Sequence, residues 1–235
     1  MTGLESARAA EPAAMPPGTG DQLAASARLQ ILATEHWSLL ATRSLSWNEA
    51  FSRAAMFLTL LAGATVALAL AAQAMSFGES FRVFALLVLA VVLFVGVATD
   101  IRLVQINRED AIWVMGMNRL RHAYLELAPE LARYFVTGWH DDEAGVRLTF
   151  AAPPPERSQL HGLVTTPGMV AVVDALIAAV LAAIAAVQLG ASSAAAIIVG
   201  VAAFVVVSLA LFAYGYRIVG AAPQPPPRFP ADPGA

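Results

Sequence analysis

Four long runs of apolar residues divide the chain into spans and connectors. They cover residues 54–75, 83–102, 168–189 and 194–216. Each run has about the 20 apolar residues that an α-helix needs to cross a bilayer. The connectors SFGESFR and GASS are short, so the first two runs and the last two runs each predict a tight helical hairpin. The pattern predicts an all-α integral membrane protein with four transmembrane helices in two hairpins.

Two further segments have the periodicity of amphipathic helices. After the second span, apolar residues alternate at spacings of three and four, with Asp110 at the one skipped position, which is typical of a heptad seam. A stripe before the first span consists of Ala33, Trp37, Leu40, Ser44, Trp47 and Phe51. We expect an antiparallel cytoplasmic helix pair that buries both stripes.

The expected interface of this pair consists of Trp37, Trp47, Trp113, Met117, Leu120 and Tyr124. Packing is the favoured role of these side chains. A ligand pocket lined by the three tryptophans is the alternative interpretation.

The patterns divide the chain into seven segments. These are a disordered N-terminal tail (1–20), a cytoplasmic amphipathic helix (21–53), a transmembrane hairpin (54–102), a cytoplasmic stalk helix (103–135), a cytoplasmic connector (136–167), a second transmembrane hairpin (168–217) and a proline-rich C-terminal tail (218–235). The C-terminal tail favours polyproline II. A solvated tail that binds nothing is favoured over one that binds a proline-recognising partner.

Composition and charge extend this picture. Hydrophobic residues make up 58% of the 235 residues and charged residues 13%, whereas soluble domains carry about 25% charged residues. All 14 basic residues are arginine, and twelve of them fall on the side that holds both termini and the central loop. The positive-inside rule makes that side cytoplasmic. Arginine-only usage with abundant alanine, valine, glycine and proline is typical of a GC-rich bacterial genome, which predicts the bacterial cytoplasmic (inner) membrane.

No residue pattern predicts catalysis. The chain has no cysteine, and its net charge of −3 argues against a nucleic-acid partner. The segment His140-Asp141-Asp142-Glu143 offers possible metal ligands, but four consecutive residues rarely converge on one ion. A solvated acidic turn is favoured there. We therefore expect no enzyme activity, no catalytic residues, no bound metal and no cofactor.

One carboxylate, Asp174, interrupts the third span. Charges within spans are functional candidates by default. Five charged residues share the depth of the cytoplasmic boundary: Arg53, Asp100, Arg102, Asp174 and Arg217. We expect Asp174 to pair with Arg53 or Arg102 and so to clamp the second hairpin to the first, with proton or ion coordination as the alternative.

Small residues recur every four positions in three spans. They are Gly63, Ala67 and Ala71 in the first, Ala175, Ala179 and Ala183 in the third, and Ala196 and Gly200 in the fourth. Such faces allow close helix contact. The spacing alone leaves open whether the contacts lie within one chain or between copies.

The segments EHWSLLATRSLSWNEAFSRAAMFL and MGMNRLRHAYLELAPELARYFVTG resemble an uncharacterised family of bacterial integral membrane proteins over residues 29–150. This resemblance implies no activity. The order of helix, two spans and helix is also similar, in architecture only, to two-span SLATT-type effector domains, which are thought to form membrane pores.

The expected function is that of a non-enzymatic multi-span membrane protein whose cytoplasmic helices mediate self-assembly or bind a partner. The alternative is a homo-oligomeric ion channel or pore-forming protein. The expected partners are the lipid bilayer and either further copies of the chain or a cytoplasmic protein.

Overall fold

A computed structural model of the chain describes residues 19–151, 162–220 and 225–231. The predicted N-terminal tail, apart from residues 19 and 20, lies outside the described residues. So do residues 152–161 of the predicted connector and residues 221–224 and 232–235 of the C-terminal tail. Within the described ranges all regular elements are helices, and four of them are long and apolar enough to cross a membrane. The predicted all-α class and the four potential spans agree with this result.

The described helices are α1 (Thr19–Met75), α2 (Glu79–Leu127), a 3₁₀ helix (Pro129–Tyr134), α3 (Glu143–Thr149), α4 (Thr166–Gln188) and α5 (Ser193–Gly220). Because no proline interrupts α1 or α2, each amphipathic segment continues into its apolar span as one helix. At 1.5 Å per residue, α1 is about 85 Å long and α2 about 73 Å. One residue, Ala128, separates the end of α2 from Pro129, which opens the 3₁₀ helix.

Helices α1 and α2 run in opposite directions along one another. Glu49 of α1 contacts Arg102 of α2, and His36, thirteen residues earlier in α1, stacks on Tyr124 of α2. Residue numbers thus fall along α1 as they rise along α2. Both helices therefore remain in contact well beyond their most apolar segments.

Helix α2 lies at the centre of the fold and packs against every other described helix. The buried core that it organises consists of Ala50, Phe57, Ala64, Leu89, Val92, Leu103, Ile106, Val170 and Ile177. Since these residues come from α1, α2 and α4, the core joins three of the four long helices.

Helices α4 and α5 meet through their small residues. A Cβ atom added at Gly200 of α5 would lie 3.1 Å from the backbone oxygen of Ala179 and 3.4 Å from the Cβ of Ala183. The small-residue faces predicted for the third and fourth spans are thus used within one chain. The face of α1 differs, because a Cβ atom at Gly63 would meet nothing within 4 Å.

Candidate functional site

Asp174 of α4 lies directly against Gly96 of α2. A Cβ atom at Gly96 would overlap the Asp174 carboxylate, and it would lie 2.8 Å from the ring of Phe57 in α1. Side chains of α1 and α4 therefore converge on the same glycine. The absence of a side chain at Gly96 is what makes room for a carboxylate at this three-helix junction.

Asp100 follows Gly96 by one helical turn on the same face of α2. Both Asp100 and Asp174 are fully buried. Within the described residues neither carboxylate has a hydrogen-bond partner. The neighbouring Thr99 hydroxyl donates to the Val95 carbonyl of its own helix at 2.8 Å and does not reach them. Buried polar groups are normally hydrogen-bonded, so this acid pair is the leading candidate for a functional site in the apolar part of the fold.

The predicted pairing of Asp174 with Arg53 or Arg102 is not present. Arg102 instead donates to both oxygens of Glu49, at 2.9 and 3.0 Å, and to Glu109 at 2.8 Å. Arg53 also donates to Glu49, at 2.8 Å. All these side chains remain partly in solvent, whereas an arginine reaching Asp174 would lose its hydration.

Glu49 of α1 thus accepts hydrogen bonds from both Arg53 and Arg102. Its hydrogen bonds to Arg102 and then to Arg53 lower its pKa to about 2. Arg217, the fifth predicted clamp residue, is exposed in the last turn of α5. The charged residues predicted to form one clamp therefore occupy different environments.

The residues predicted to form one helix interface differ in their burial. On α2, Met117 is buried, and Trp113, Leu120 and Tyr124 are half-buried. On α1, Trp47 is half-buried and contacts Phe51, with ring centres 5.6 Å apart and planes inclined by 35°. Trp37 is 70% exposed and so is not enclosed in a pocket with the other tryptophans.

Helix α1 turns a different face toward α2 than its apolar stripe predicts. That face carries His36, Leu39 and Arg43, which contact Tyr124, Gly116 and Asp110 respectively. The Arg43 guanidinium donates to both Asp110 oxygens, at 2.6 and 3.3 Å. Because Asp110 is buried, its partner must face it, and this ion pair accounts for the rotation of α1.

The acidic segment 140–143 is not a solvated turn, in contrast to its prediction. Asp141 is fully buried, and Asp142 caps α3 by accepting from the Gly145 amide at 2.8 Å. Asp141 accepts from Arg119 of α2 at 2.5 Å and from backbone amides of the C-terminal segment. Across the described ranges no three histidine or acidic side chains are grouped to hold a metal ion.

Glu49, Gly96 and Asn118 are among the residues of these sites that no sequence pattern predicted. Glu49 precedes Arg53 by one helical turn, which is a detectable signal for an ion pair. Gly96 had no signal, because a glycine in an apolar span is common. Asn118 is fully buried and donates to the His140 carbonyl at 2.7 Å, a contact between residues distant in sequence.

No protein-family model, curated protein or solved structure matches this chain.

Proposed function

We propose that this chain is a non-enzymatic, multi-pass membrane protein that assembles with further copies of itself through α1. In this proposal the four apolar helices form two hairpins in a bacterial cytoplasmic membrane. Both termini and the ends of α1 and α2 that lie beyond the spans are cytoplasmic. The distribution of arginine supports this orientation, since twelve arginines are on the proposed cytoplasmic side.

The observation that carries self-assembly is an open apolar groove between α1 and α2. It has a volume of about 1000 Å³. Its α1 wall includes Gly63 and Ala67, and its α2 wall includes Phe84, Leu87 and Val91. Small residues on one wall allow a further helix to approach closely, and the apolar residues opposite provide contact area.

A second surface of α1 supports the same contact outside the spans. Trp37 is 70% exposed, Phe51 is 56% exposed and Leu40 is also exposed. These residues belong to the heptad-like stripe before the first span. Such stripes are self-complementary, because the knobs of one helix fit between those of an identical one.

The length of α1 favours a second copy as the occupant of both surfaces. The groove and the stripe lie on one continuous helix, inside and outside the apolar region. A partner helix that covers both must itself extend from the membrane into water. Helices α1 and α2 of a second copy have this form, with 57 and 49 residues.

Native mass spectrometry of the protein in lipid nanodiscs tests the proposal. We expect an oligomer that Gly63→Leu weakens, because the added Cβ atom meets nothing within 4 Å and the rest of the side chain enters the groove. Trp37→Ser should weaken it as well. The matched control is Ala90→Leu, an exposed position outside the groove lining, which should leave the mass unchanged. A monomer at all protein concentrations, with lipid filling the groove, would reject self-assembly.

A homo-oligomeric ion channel is the second candidate function. The observation that favours it is the buried, unpartnered acid pair Asp100 and Asp174, since charges at this depth often mark ion pathways. Ion flux into liposomes that contain the purified protein tests it. The channel proposal expects flux that Asp174→Asn alters, and the absence of flux from a confirmed oligomer would reject it.

A further inference from the structure

The described part of the C-terminal tail, residues 225–231 with the sequence PPPRFPA, lies against α2 and the loop that precedes α3. It has no regular secondary structure. Four of its seven residues are prolines, which have no backbone N–H group. The segment therefore has three backbone donors, at Arg228, Phe229 and Ala231.

Two consecutive aspartates accept from all three donors. The Asp141 carboxylate accepts from the amides of Arg228 and Phe229, each at 2.8 Å. The Asp142 carboxylate accepts from the amide of Ala231, also at 2.8 Å. The spacing of prolines in the segment is thus matched to the carboxylates that receive it.

The carbonyl groups of the segment are recognised as well. Arg119 of α2 donates to the Pro226 carbonyl at 2.8 Å, and the same guanidinium donates to Asp141. The Phe229 carbonyl lies 3.2 Å from Nδ1 of His140 and accepts from the Asp141 amide at 3.4 Å. Polar groups of the site therefore contact both the amides and the carbonyls of the segment.

The Phe229 side chain of the segment contacts an aromatic ring of the site. Phe229 stacks on His122 of α2, with ring centres 4.2 Å apart and planes inclined by 20°. Such stacking adds to the burial of the ring. The site thus recognises an aromatic residue in addition to the backbone.

Contacts independent of the segment hold the site in shape. Asn118 donates to the His140 carbonyl and accepts from Arg121 at 2.7 Å and from Thr149 at 3.0 Å. Gly138 and Gly145 approach so closely that a Cβ atom at Gly138 would overlap the Gly145 backbone. A preformed site loses little entropy on binding, and prolines reduce the corresponding loss in the segment.

We propose that the surface formed by Arg119, His122, His140, Asp141 and Asp142 is a recognition site for a proline-flanked Arg-Phe segment of a partner protein. The chain's own residues 225–231 occupy it in this structure. A partner segment of the same chemistry binds in their place. This proposal does not depend on self-assembly through α1, because none of these residues lines the groove of α1 and α2.

Because residues 225–231 belong to the same chain as the site, a partner segment must compete with them for it. Four residues separate the end of α5 at Gly220 from Pro225. A tether this short gives an effective concentration on the order of millimolar. A free segment with equal intrinsic affinity therefore competes only near millimolar concentration, unless the contact within the chain is weakened.

A labelled peptide tests the site directly. The probe is acetylated and amidated PPPRFPA, measured by fluorescence anisotropy against the full-length protein in nanodiscs. Phe229→Ala weakens the internal competitor and leaves the site intact. We expect this variant to bind the peptide at least tenfold more tightly than the wild type does, and to bind the control peptide PPPRAPA at least tenfold less tightly than PPPRFPA.

A second substitution in the Phe229→Ala background separates recognition from folding. Asp141→Asn should reduce peptide affinity at least tenfold. His122→Ala should reduce it as much while leaving the loop that precedes α3 unchanged. Circular dichroism confirms that each variant keeps its helices. Equal binding of PPPRFPA and PPPRAPA, or no binding by the folded Phe229→Ala protein, would overturn the proposal.

Discussion

The Asp174 carboxylate of α4 occupies the space where any residue other than glycine at position 96 of α2 would place its Cβ atom. This relationship explains how two apolar helices accommodate a buried acid. Phe57 of α1 closes the same junction. The stability of the α1, α2 and α4 contact therefore depends on a glycine that carries no chemistry of its own.

Substitution of Gly96 by alanine should destabilise the protein by about 1–3 kcal/mol, the usual cost of overpacking a close contact. The added methyl group must displace both the Asp174 carboxylate and the Phe57 ring. Chemical unfolding in mixed micelles measures the effect. Gly215→Ala in α5 is the matched control and should have little effect, because its added Cβ atom would make only an ordinary contact, 3.7 Å from Cγ2 of Val104.

Relief of the overlap provides a further check on the junction. Asp174→Ala in the Gly96→Ala background removes the group with which the methyl collides. We expect the double variant to be more stable than Gly96→Ala alone. A Gly96→Ala protein as stable as the wild type would contradict the described contact.

The ion pairs at this end of the spans predict a specific pattern of coupling. A double-mutant cycle of Glu49→Gln and Arg102→Gln should give a coupling energy of about 0.5–1 kcal/mol, as for other partly exposed pairs. Asp174→Asn and Arg102→Gln should instead be additive within about 0.3–0.5 kcal/mol, since they share no contact. Coupling between Asp174 and Arg102, with additivity between Glu49 and Arg102, would support the Asp174 pairing expected from the sequence.

The helices of this protein could be predicted from its sequence, but most contacts between them could not. The apolar runs and the three-four spacing report which segments are helical, because periodicity is a local property. The ion pair between Arg43 and Asp110 turns α1 away from the orientation that its apolar stripe predicts. Asp110 is the polar position within the α2 seam, so a partner could have been sought there, but its identity depends on tertiary packing.

The contacts of the C-terminal segment also could not be predicted from the sequence. Its prolines favour polyproline II, whereas the chain bends at Arg228 and Phe229, and the acidic segment 140–143 is conspicuous in the sequence. Almost 90 residues separate Asp141 from Arg228, and nothing local indicates that they meet. The positions of the three free N–H groups in residues 225–231 can be interpreted only when the structure shows that Asp141 and Asp142 accept from them.

Acid should release the C-terminal segment at a pH set by Asp141. Burial alone would raise the pKa of Asp141, but hydrogen bonds from the Arg228 amide, the Arg119 guanidinium and the Phe229 amide outweigh it and lower the pKa below 3.8. A lowered folded-state pKa stabilises docking above 3.8, and this contribution is lost as pH falls through the lowered value. Docking should therefore persist from neutral pH down to about 3.8.

A single fluorophore measures this release. The chain has no native cysteine, so Arg228→Cys provides one labelling site on an exposed side chain. Its anisotropy should stay high until the pH falls below the ordinary range of aspartate. In the Asp141→Asn background it should be low at all pH values. Release near the ordinary histidine pKa of about 6.5 would contradict control by Asp141.

Removal of Arg43 should destabilise the contact between α1 and α2 outside the spans. Asp110 is buried, and Arg43→Met would leave its carboxylate without this guanidinium. Loss of one partner of a buried ion pair costs about 3–5 kcal/mol, because an uncompensated charge remains buried. Arg43→Met with Asp110→Leu removes both charges and should recover most of the loss. Hydrogen exchange of the α1 amides near residue 43 measures the local effect, and equal protection in Arg43→Met and the wild type would show that this ion pair does not hold the two helices together.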